Sequence, residues 1–268
     1  MRAIRALGQN FLISTSTISS IVSYILKYKP DHLVEIGPGN GALTVPLAEI
    51  TKHLTCIEKD SLLAHQLPGR LSTEAQKKTT VLERDVLTVA PSELVPQPYD
   101  VFGSLPFNIS KRIISHFLKS TLPYPRNMFV ILQEEVARSY SAESPRNTSL
   151  AAIARIYSTV SYVFPIPRTH FSPIPKVDAA FIHFSKITPP SEHANMASFY
   201  KFLFKNPRKK INNVIKKSFL PQAPLPDVPA DISRLLDKRA EELSDEDMKS
   251  LYFMYNTVCS YETRSSQK

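Results

Sequence analysis

Residues 104–107, Ser-Leu-Pro-Phe, directly follow a β-prone apolar run and place chemically different groups side by side. A plain turn would use more glycine or aspartate. This stretch instead offers the Ser104 hydroxyl, backbone carbonyls that Pro106 helps to fix, and the aromatic face of Phe107. Acceptors beside an aromatic face suit a flat ring that carries an amino group. We therefore treat 104–107 as a candidate site of chemistry.

Three more candidate ligand-binding positions follow buried strands in the same way. The glycines of GPGNG (37–41) follow HLVEI, Glu58 ends HLTCIE, and Asp85 ends TTVLERD. In an open parallel sheet, ligands lie beyond the carboxyl ends of the strands. The Glu58 carboxylate can accept both hydroxyls of a ribose, and the Asp85 carboxylate an adenine amino group. The glycine turn alone also fits the dinucleotide fingerprint, but the full set predicts a nucleoside-type cofactor.

Strands that alternate with helices must position these groups. Strands are predicted at 32–36, 53–58, 79–85, 99–103 and 127–133, and helices near 18–26, from about 42, over 111–120 and over 134–140. This alternation implies a mostly parallel sheet with helices on both faces. From about Ala151, IARIYSTVSYVF and VDAAFIHFSKI predict two longer strands that extend the sheet in the antiparallel sense.

A second, helical region is predicted beyond a linker at TPPSEH (188–193). Its helices are expected at about 194–205, 208–219, 230–240 and 244–257, with PQAPLPDVP (221–229) as a break. The chain has 268 residues, 43% of them hydrophobic, which suffices for one large and one small domain. The predicted domains are 1–187 and 188–268.

Composition narrows the class of partner. The net charge of +9 favours a polyanion such as nucleic acid. No run approaches the roughly 18 apolar residues of a membrane span, so no membrane role is expected. The two cysteines and the scattered histidines have no metal-ligand spacing, so no metal is expected either.

One basic segment stands out from this average. Residues 201–217 carry seven basic residues and no acidic one. A solvated helical face is one interpretation, and a set of phosphate contacts is the one that we favour. The predicted RNA-binding residues are Lys205, Arg208, Lys209, Lys210, Lys216 and Lys217.

Family resemblance extends along essentially the whole chain. LVEIGPGNGALT, CIEKD and RDVL resemble successive motifs of class I S-adenosylmethionine methyltransferases. More narrowly, the chain resembles the KsgA-type rRNA adenine dimethyltransferases in five motifs: GQNFL (8–12), GSLPFNIS (103–110), FSPIPKVDAA (171–180), NPRKKINNVIKKSF (206–219) and KRAEELSDEDMKSLY (238–252). The resemblance implies a Rossmann-like class I methyltransferase sheet with antiparallel final strands, plus a small all-α C-terminal domain that binds RNA.

The resemblance also implies an activity and a set of site residues. S-adenosyl-L-methionine would be the cofactor, and two adjacent adenines near the 3′ end of small-subunit rRNA, in the immature small subunit, would each receive two methyl groups on N6. The implied cofactor-binding residues are Gln9, Asn10, Leu12, Gly37, Gly39, Glu58, Asp85 and Ser104. The implied catalytic residues are Ser104, Leu105, Pro106, Phe107 and, as a second wall for the base, Phe171.

Two positions depart from the family pattern. Ser104 stands where the family has asparagine, and its hydroxyl is a shorter and weaker acceptor than an amide oxygen. The loss of one oriented acceptor costs about 2–4 kcal/mol of transition-state stabilisation, which predicts a slow enzyme. The second departure is SPRNTSLAA (144–152), which lacks the family's tyrosine–glycine pair.

Two alternatives stay open at this point. The chain could be a non-catalytic assembly or transcription factor that kept the fold, or the related large-subunit rRNA adenine methylase. Ser104 argues for the first, and the complete set of Asn10, Gly37, Glu58 and Asp85 argues against it. The N-terminus superficially resembles a transit peptide, but its removal would take part of the implied cofactor site, so a cytoplasmic location is expected. The protein is also expected to be a monomer.

Overall fold

The computed structural model describes residues 10–90, 93, 98–120, 123–188, 193–218 and 230–265. At 216–218, 230–231 and 258–265 it describes the backbone alone. Gln9, most of the predicted linker and the predicted break at 221–229 therefore lie outside the described residues.

The described strands, in chain order, are β1 (Phe11–Leu12), β2 (His32–Ile36), β3 (His53–Glu58), β4 (Thr79–Glu83), β5 (Asp100–Ser104), β6 (Met128–Gln133), β7 (Thr159–Ile166), β8 (Phe171–Ser172) and β9 (Ala179–Ser185). Among them, seven form one sheet in the order β4-β3-β2-β5-β6-β9-β7. The pairs from β4 to β6 are parallel, and β9 pairs antiparallel with both β6 and β7. The predicted mostly parallel sheet with antiparallel final strands is confirmed.

The described helices are α1 (Thr15–Leu26), α2 (Thr44–Ile50), α3 (Ser61–Gln66), α4 (Thr73–Lys77), α5 (Ser110–Leu118), α6 (Glu134–Tyr140), α7 (Ser149–Tyr157), α8 (Ala194–Leu203), α9 (Ile211–Ser218), α10 (Ala230–Leu236) and α11 (Asp245–Ser265). Helix α1 begins after Ser14, whose hydroxyl accepts from the Thr17 amide, and buries Ile21 and Ile25. None of the described helices is both long and apolar enough to cross a membrane.

One sequence prediction was wrong at residues 153–157, which are helical rather than the start of a strand. Ala151, Ala154 and Tyr157 are all buried, so the apolar positions recur at helical spacing. Alanine is the best helix former, and its three copies in α7 outweigh the β-branched residues around them. Strand β7 begins only after this helix, at Thr159.

Among the described residues, 139–156 and those from 193 onward form one compact unit, and the others form a second. The core of this helical unit is made of side chains from α7, α8, α9, α10 and α11. Within it, Arg155 donates from Nε to Asp245 at 2.7 Å and from Nη2 to Asn147 at 2.8 Å. Segment 144–152, which lacks the family's tyrosine–glycine pair, is therefore held in place by hydrogen bonds. The division into catalytic and RNA-binding domains at residue 188 stays a prediction.

The strand order defines where a ligand would lie. From β2 the chain runs outward to β3 and β4, then crosses to β5 on the other side of β2. In such sheets the crevice forms at this switch point, beyond the carboxyl ends of the strands. Ile36 and Gly103 are register partners there, so the glycine loop and the 104–107 stretch begin side by side.

Candidate active site

The glycine loop after β2 has a backbone that other residues rarely adopt. Gly37, Gly39 and Gly41 have φ values of +65°, +58° and +80°. A Cβ on Gly39 would also lie 2.9 Å from the Phe11 ring, which covers this loop. Glycine is required at residue 39 both for its conformation and for the close approach of the ring.

The Glu58 carboxylate is fixed by the backbone around it. Its Oε2 accepts from the Gly39 amide at 3.0 Å, and its Oε1 accepts from the Asp60 amide at 2.9 Å. The residue is 6% exposed and lies at the end of β3. Each oxygen keeps a further lone pair. The carboxylate can therefore accept two hydroxyl groups without being reoriented.

Asp85 lies beyond the neighbouring strand end and is an anion at neutral pH. Its Oδ2 accepts from Lys59 Nζ at 2.9 Å, and its Oδ1 accepts from the Leu87 amide at 2.9 Å. The Lys59 ammonium, followed by the Leu87 amide, lowers the pKa of the carboxyl. Asp85 is thus a hydrogen-bond acceptor suited to an amino group.

Residues 104–107 are held from both sides. The Leu105 amide donates to the Ile131 carbonyl at 3.2 Å, and the Pro106 carbonyl accepts from the Ile109 amide at 3.1 Å. The Ser110 hydroxyl donates to the Phe107 carbonyl at 3.3 Å. These bonds fix the backbone of the stretch between β5 and α5, so the positions of its carbonyl acceptors are set before any ligand binds.

A short antiparallel pair brings two distant segments to the same site. Phe11 is the register partner of Ser172, and Leu12 that of Phe171, in the β1–β8 ladder. Phe171 is only 2% exposed and belongs to the apolar core, whereas Phe107 is half-buried. Of the two rings, Phe107 has the larger free surface for a base.

These groups line one cavity of about 300 Å³. The described residues that the sequence predicted and that line it are Asn10, Leu12, Gly37, Gly39, Glu58, Asp85, Ser104, Leu105, Pro106, Phe107 and Phe171. The structure therefore brings together all of the described cofactor-binding and catalytic candidates, while Gln9 lies outside the described residues. Their individual roles stay predictions.

The cavity also contains residues that sequence reasoning missed. Phe11, Glu35, Lys59 and Asn108 line it. A signal was present for Glu35, because a charged residue within the apolar strand HLVEI is almost never buried without a role or a partner. For Lys59 the signal was its place directly after Glu58.

Glu35 is a buried carboxyl behind the glycine loop. It is 2% exposed, and burial raises its pKa to about 7. The Cys56 thiol lies with Sγ 3.7 Å from Oε2 and donates to it, which partly offsets the effect of burial on Glu35. Burial and the nearby Glu35 carboxyl in turn raise the pKa of the Cys56 thiol.

Glu35→Gln is expected to remove a pH-dependent loss of stability. The folded state raises the pKa of this carboxyl, so its contribution is complete below the unfolded pKa and is lost as pH rises through about 7. Between pH 4 and 8, the free energy of unfolding of the wild type should fall by about 3 kcal/mol more than that of Glu35→Gln. Denaturant titrations at several pH values measure this, with the exposed Glu83→Gln as control. Parallel pH profiles of wild type and Glu35→Gln would contradict it.

The predicted RNA-binding residues lie at and after the connection between α8 and α9. Lys205, Arg208, Lys209 and Lys210 are exposed, and Lys210 Nζ pairs with Asp237 at 3.1 Å. The other three form no ion pair within the described part of the chain. Lys216 and Lys217 lie in α9, where the structure describes only their backbone.

The described residues contain no group of three or more histidine, cysteine, aspartate or glutamate side chains that could hold a metal ion.

Comparison with known proteins gives a consistent result. A family model described as ribosomal RNA adenine dimethylase matches residues 2–254. The ribosomal RNA small subunit methyltransferase A of Yersinia enterocolitica is 35% identical over 224 residues, which cover 80% of this chain and 81% of that protein.

Two solved structures have a similar fold. A dimethyladenosine transferase from Plasmodium falciparum has a TM-score of 0.76 at 22% identity, covering 92% of this chain and 98% of the other. The 23S rRNA methyltransferase ErmE has a TM-score of 0.73 at 22% identity, covering 91% and 99%. At these identities the two structures show a shared fold alone.

Proposed function

The chain belongs to the ribosomal RNA adenine dimethylase family, and on that premise we propose that it dimethylates N6 of two adjacent adenines near the 3′ end of small-subunit rRNA. It is an rRNA adenine dimethyltransferase. One observation carries the detailed proposal: a single cavity joins the Glu58 and Asp85 carboxylates to the Ser104–Phe107 stretch. An acceptor pair for an adenosine thus lies beside acceptors and a ring for a second adenine.

S-adenosyl-L-methionine fits the first part of this cavity. The Glu58 carboxylate has lone pairs free for the ribose, and the Asp85 carboxylate can accept the adenine amino group. At Gly37, no atom lies within 4 Å of the position that a Cβ would take, so the glycine loop leaves room there for a ligand against the backbone. The cofactor, when bound, supplies a methyl group on a sulfonium, which is already an activated leaving group.

The second part of the cavity is suited to the target base. Adenine N6 is a poor nucleophile because its lone pair is delocalised into the ring. The Ser104 hydroxyl, through a bridging water molecule, and a carbonyl near Pro106 would accept from its two N–H groups and favour attack on the methyl group. Phe107 would stack on the extruded base, with Phe171 supporting the wall from the core.

Ser104 is expected to make the reaction slow rather than to abolish it. A hydroxyl reaches less far than the carboxamide that the family has there, so a water molecule would bridge it to the amine. Neither the non-catalytic alternative nor the large-subunit alternative is favoured by the comparisons, since the relative that is 35% identical over most of its length is a small-subunit methyltransferase.

We extend the proposal to the partner and the location. The immature small ribosomal subunit would bind through the exposed cations Lys205, Arg208 and Lys209, which lie in a segment without acidic residues. The protein would act as a monomer in the cytoplasm, where it would meet that subunit.

Replacing Lys205, Arg208 and Lys209 with alanine is expected to weaken binding of the small subunit and reduce its salt dependence. Each phosphate contact that is lost reduces the number of counterions released on binding. The slope of log affinity against log salt should therefore flatten by about 2–3. Filter binding between 50 and 300 mM salt measures the slope.

A matched triple variant controls for net charge. Alanine at Lys27, Lys52 and Lys77, exposed residues of the other unit, removes the same charge. Its slope should stay near that of the wild type. Equal slopes for the wild type and the first triple variant would reassign those cations to a solvated face.

The methyl-transfer proposal is tested with labelled S-adenosylmethionine and small subunits that lack the modification. Label should enter these subunits and not subunits that are already methylated. No incorporation by the wild-type protein under conditions where it binds the subunit would contradict the proposal.

A further inference from the structure

The side chain of Lys59 spans the gap between the ends of β3 and β4. Its Nζ donates to Asp85 Oδ2 at 2.9 Å, and both residues line the cavity. Lys59 directly follows Glu58, the residue proposed for the ribose. The ammonium therefore already occupies one oxygen of the proposed adenine acceptor.

The backbone that carries Lys59 is fixed on both sides. The Glu58 carbonyl accepts from the Arg84 amide at 3.0 Å, which holds the end of β3 against the chain that leaves β4. Asp60 caps α3 by accepting from the Leu62 and Leu63 amides at 3.0 and 3.2 Å. The Lys59 side chain, 62% exposed, is the part of this segment that is able to move.

Both oxygens of Asp85 already have donors before any ligand binds. Oδ1 accepts from the Leu87 amide and Oδ2 from Lys59. The amide belongs to the fixed backbone, whereas the ammonium is on a flexible chain of four methylene groups. Each Asp85 oxygen keeps a second lone pair, but the ammonium on Oδ2 weakens that oxygen as an acceptor and repels the hydrogens of an incoming amino group. An adenine amino group at Oδ2 therefore competes with Lys59, whereas the Leu87 amide stays on Oδ1 as part of the fixed backbone.

We propose that Lys59 is a removable bar at the adenosine site, whose ammonium competes with the adenine amino group of the cofactor for Asp85 Oδ2. Lys59 thereby lowers cofactor affinity, and it acts on binding rather than on the chemical step. This inference rests on the proposed function, because adenosine is the ligand that meets the bar.

The bar has a modest and salt-dependent effect. Exposed ion pairs are weak, so the competition should reduce affinity about two- to fivefold. Salt screens the ion pair between Lys59 and Asp85. Higher salt should therefore tighten the binding of a ligand that has no net charge of its own.

Calorimetry with S-adenosylhomocysteine, the demethylated product, tests this, because that molecule is a zwitterion without net charge. Lys59→Met keeps the length of the side chain and removes the ammonium. It is expected to bind two- to fivefold more tightly than the wild type at 50 mM salt. The wild-type affinity should rise toward that of the variant at 500 mM salt, and the affinity of the variant should stay constant.

Lys52→Met is the matched control. Lys52 is also an exposed lysine, pairs with Asp31 at 3.1 Å, and lies at the opposite end of β3. Its affinity and salt dependence should equal those of the wild type.

Two results distinguish a failure of the Lys59 proposal from a failure of the proposed function. Equal or weaker binding by Lys59→Met than by the wild type would overturn the bar and leave the cofactor site intact. Failure of the wild type to bind the product at all would overturn the cofactor assignment, and the bar with it.

Discussion

Glu58→Ala is expected to weaken binding of S-adenosylmethionine and of its demethylated product by at least tenfold. The variant removes the acceptor proposed for the ribose hydroxyls, and each such charged hydrogen bond contributes about 1.5–3 kcal/mol. It also leaves the Gly39 and Asp60 amides without their acceptor, which loosens the glycine loop. Calorimetry with either ligand measures the loss.

Glu83→Ala is the matched control for Glu58→Ala. Glu83 is the same residue type, ends the adjacent strand β4, and is the register partner of Glu58, but it is exposed. Its affinity should stay within twofold of the wild type. Circular dichroism establishes that both variants are folded. Unchanged affinity in folded Glu58→Ala would contradict the assignment of the ribose site.

Phe107→Ala is expected to slow methyl transfer more than any single change at Ser104. The variant removes the half-buried ring on which the target base would stack, a contribution of about 1–3 kcal/mol per base. The opposite wall does not replace it, because Phe171 is only 2% exposed. Single-turnover transfer to unmethylated small subunits measures the rate, and cofactor affinity should stay nearly unchanged.

Two substitutions at Ser104 show whether its hydroxyl acts on the amine. Ser104→Ala should lower the rate at saturating cofactor, because an acceptor is lost in the chemical step. Ser104→Asn should match or exceed the wild type, because the carboxamide reaches farther from the same strand end. If Ser104→Asn is active and the wild type is inactive, the natural protein is a binding factor. If neither is active while RNA is bound, the methyltransferase account fails elsewhere than at Ser104.

The strand ends of the site could be predicted because their signals are local. A buried parallel strand is a short apolar run, and a polar residue that ends it must lie at the edge of the sheet. Glu58, Asp85 and Ser104 were identified from this rule, and the structure brings their side chains to one cavity. The antiparallel final strands could be predicted because two long strand-like runs flank one proline-rich turn.

Other parts of the site depend on contacts that the sequence does not display. The β1–β8 pair joins segments about 160 residues apart, so no local pattern shows that the Phe11 ring covers Gly39. The bar at Lys59 depends on a side-chain position between two strands. The helix α7 was missed because its β-branched residues resemble a strand until the burial of its alanines is known.

The identity of the modified nucleosides tests the central claim most directly. Small subunits lacking the modification would be incubated with the wild-type protein and S-adenosylmethionine, and the rRNA digested and examined by mass spectrometry. We predict N6,N6-dimethyladenosine at two adjacent adenosines near the 3′ end of the small-subunit rRNA, formed more slowly than by Ser104→Asn. Methyl groups on a different nucleoside, or in the large-subunit rRNA instead, would contradict the account.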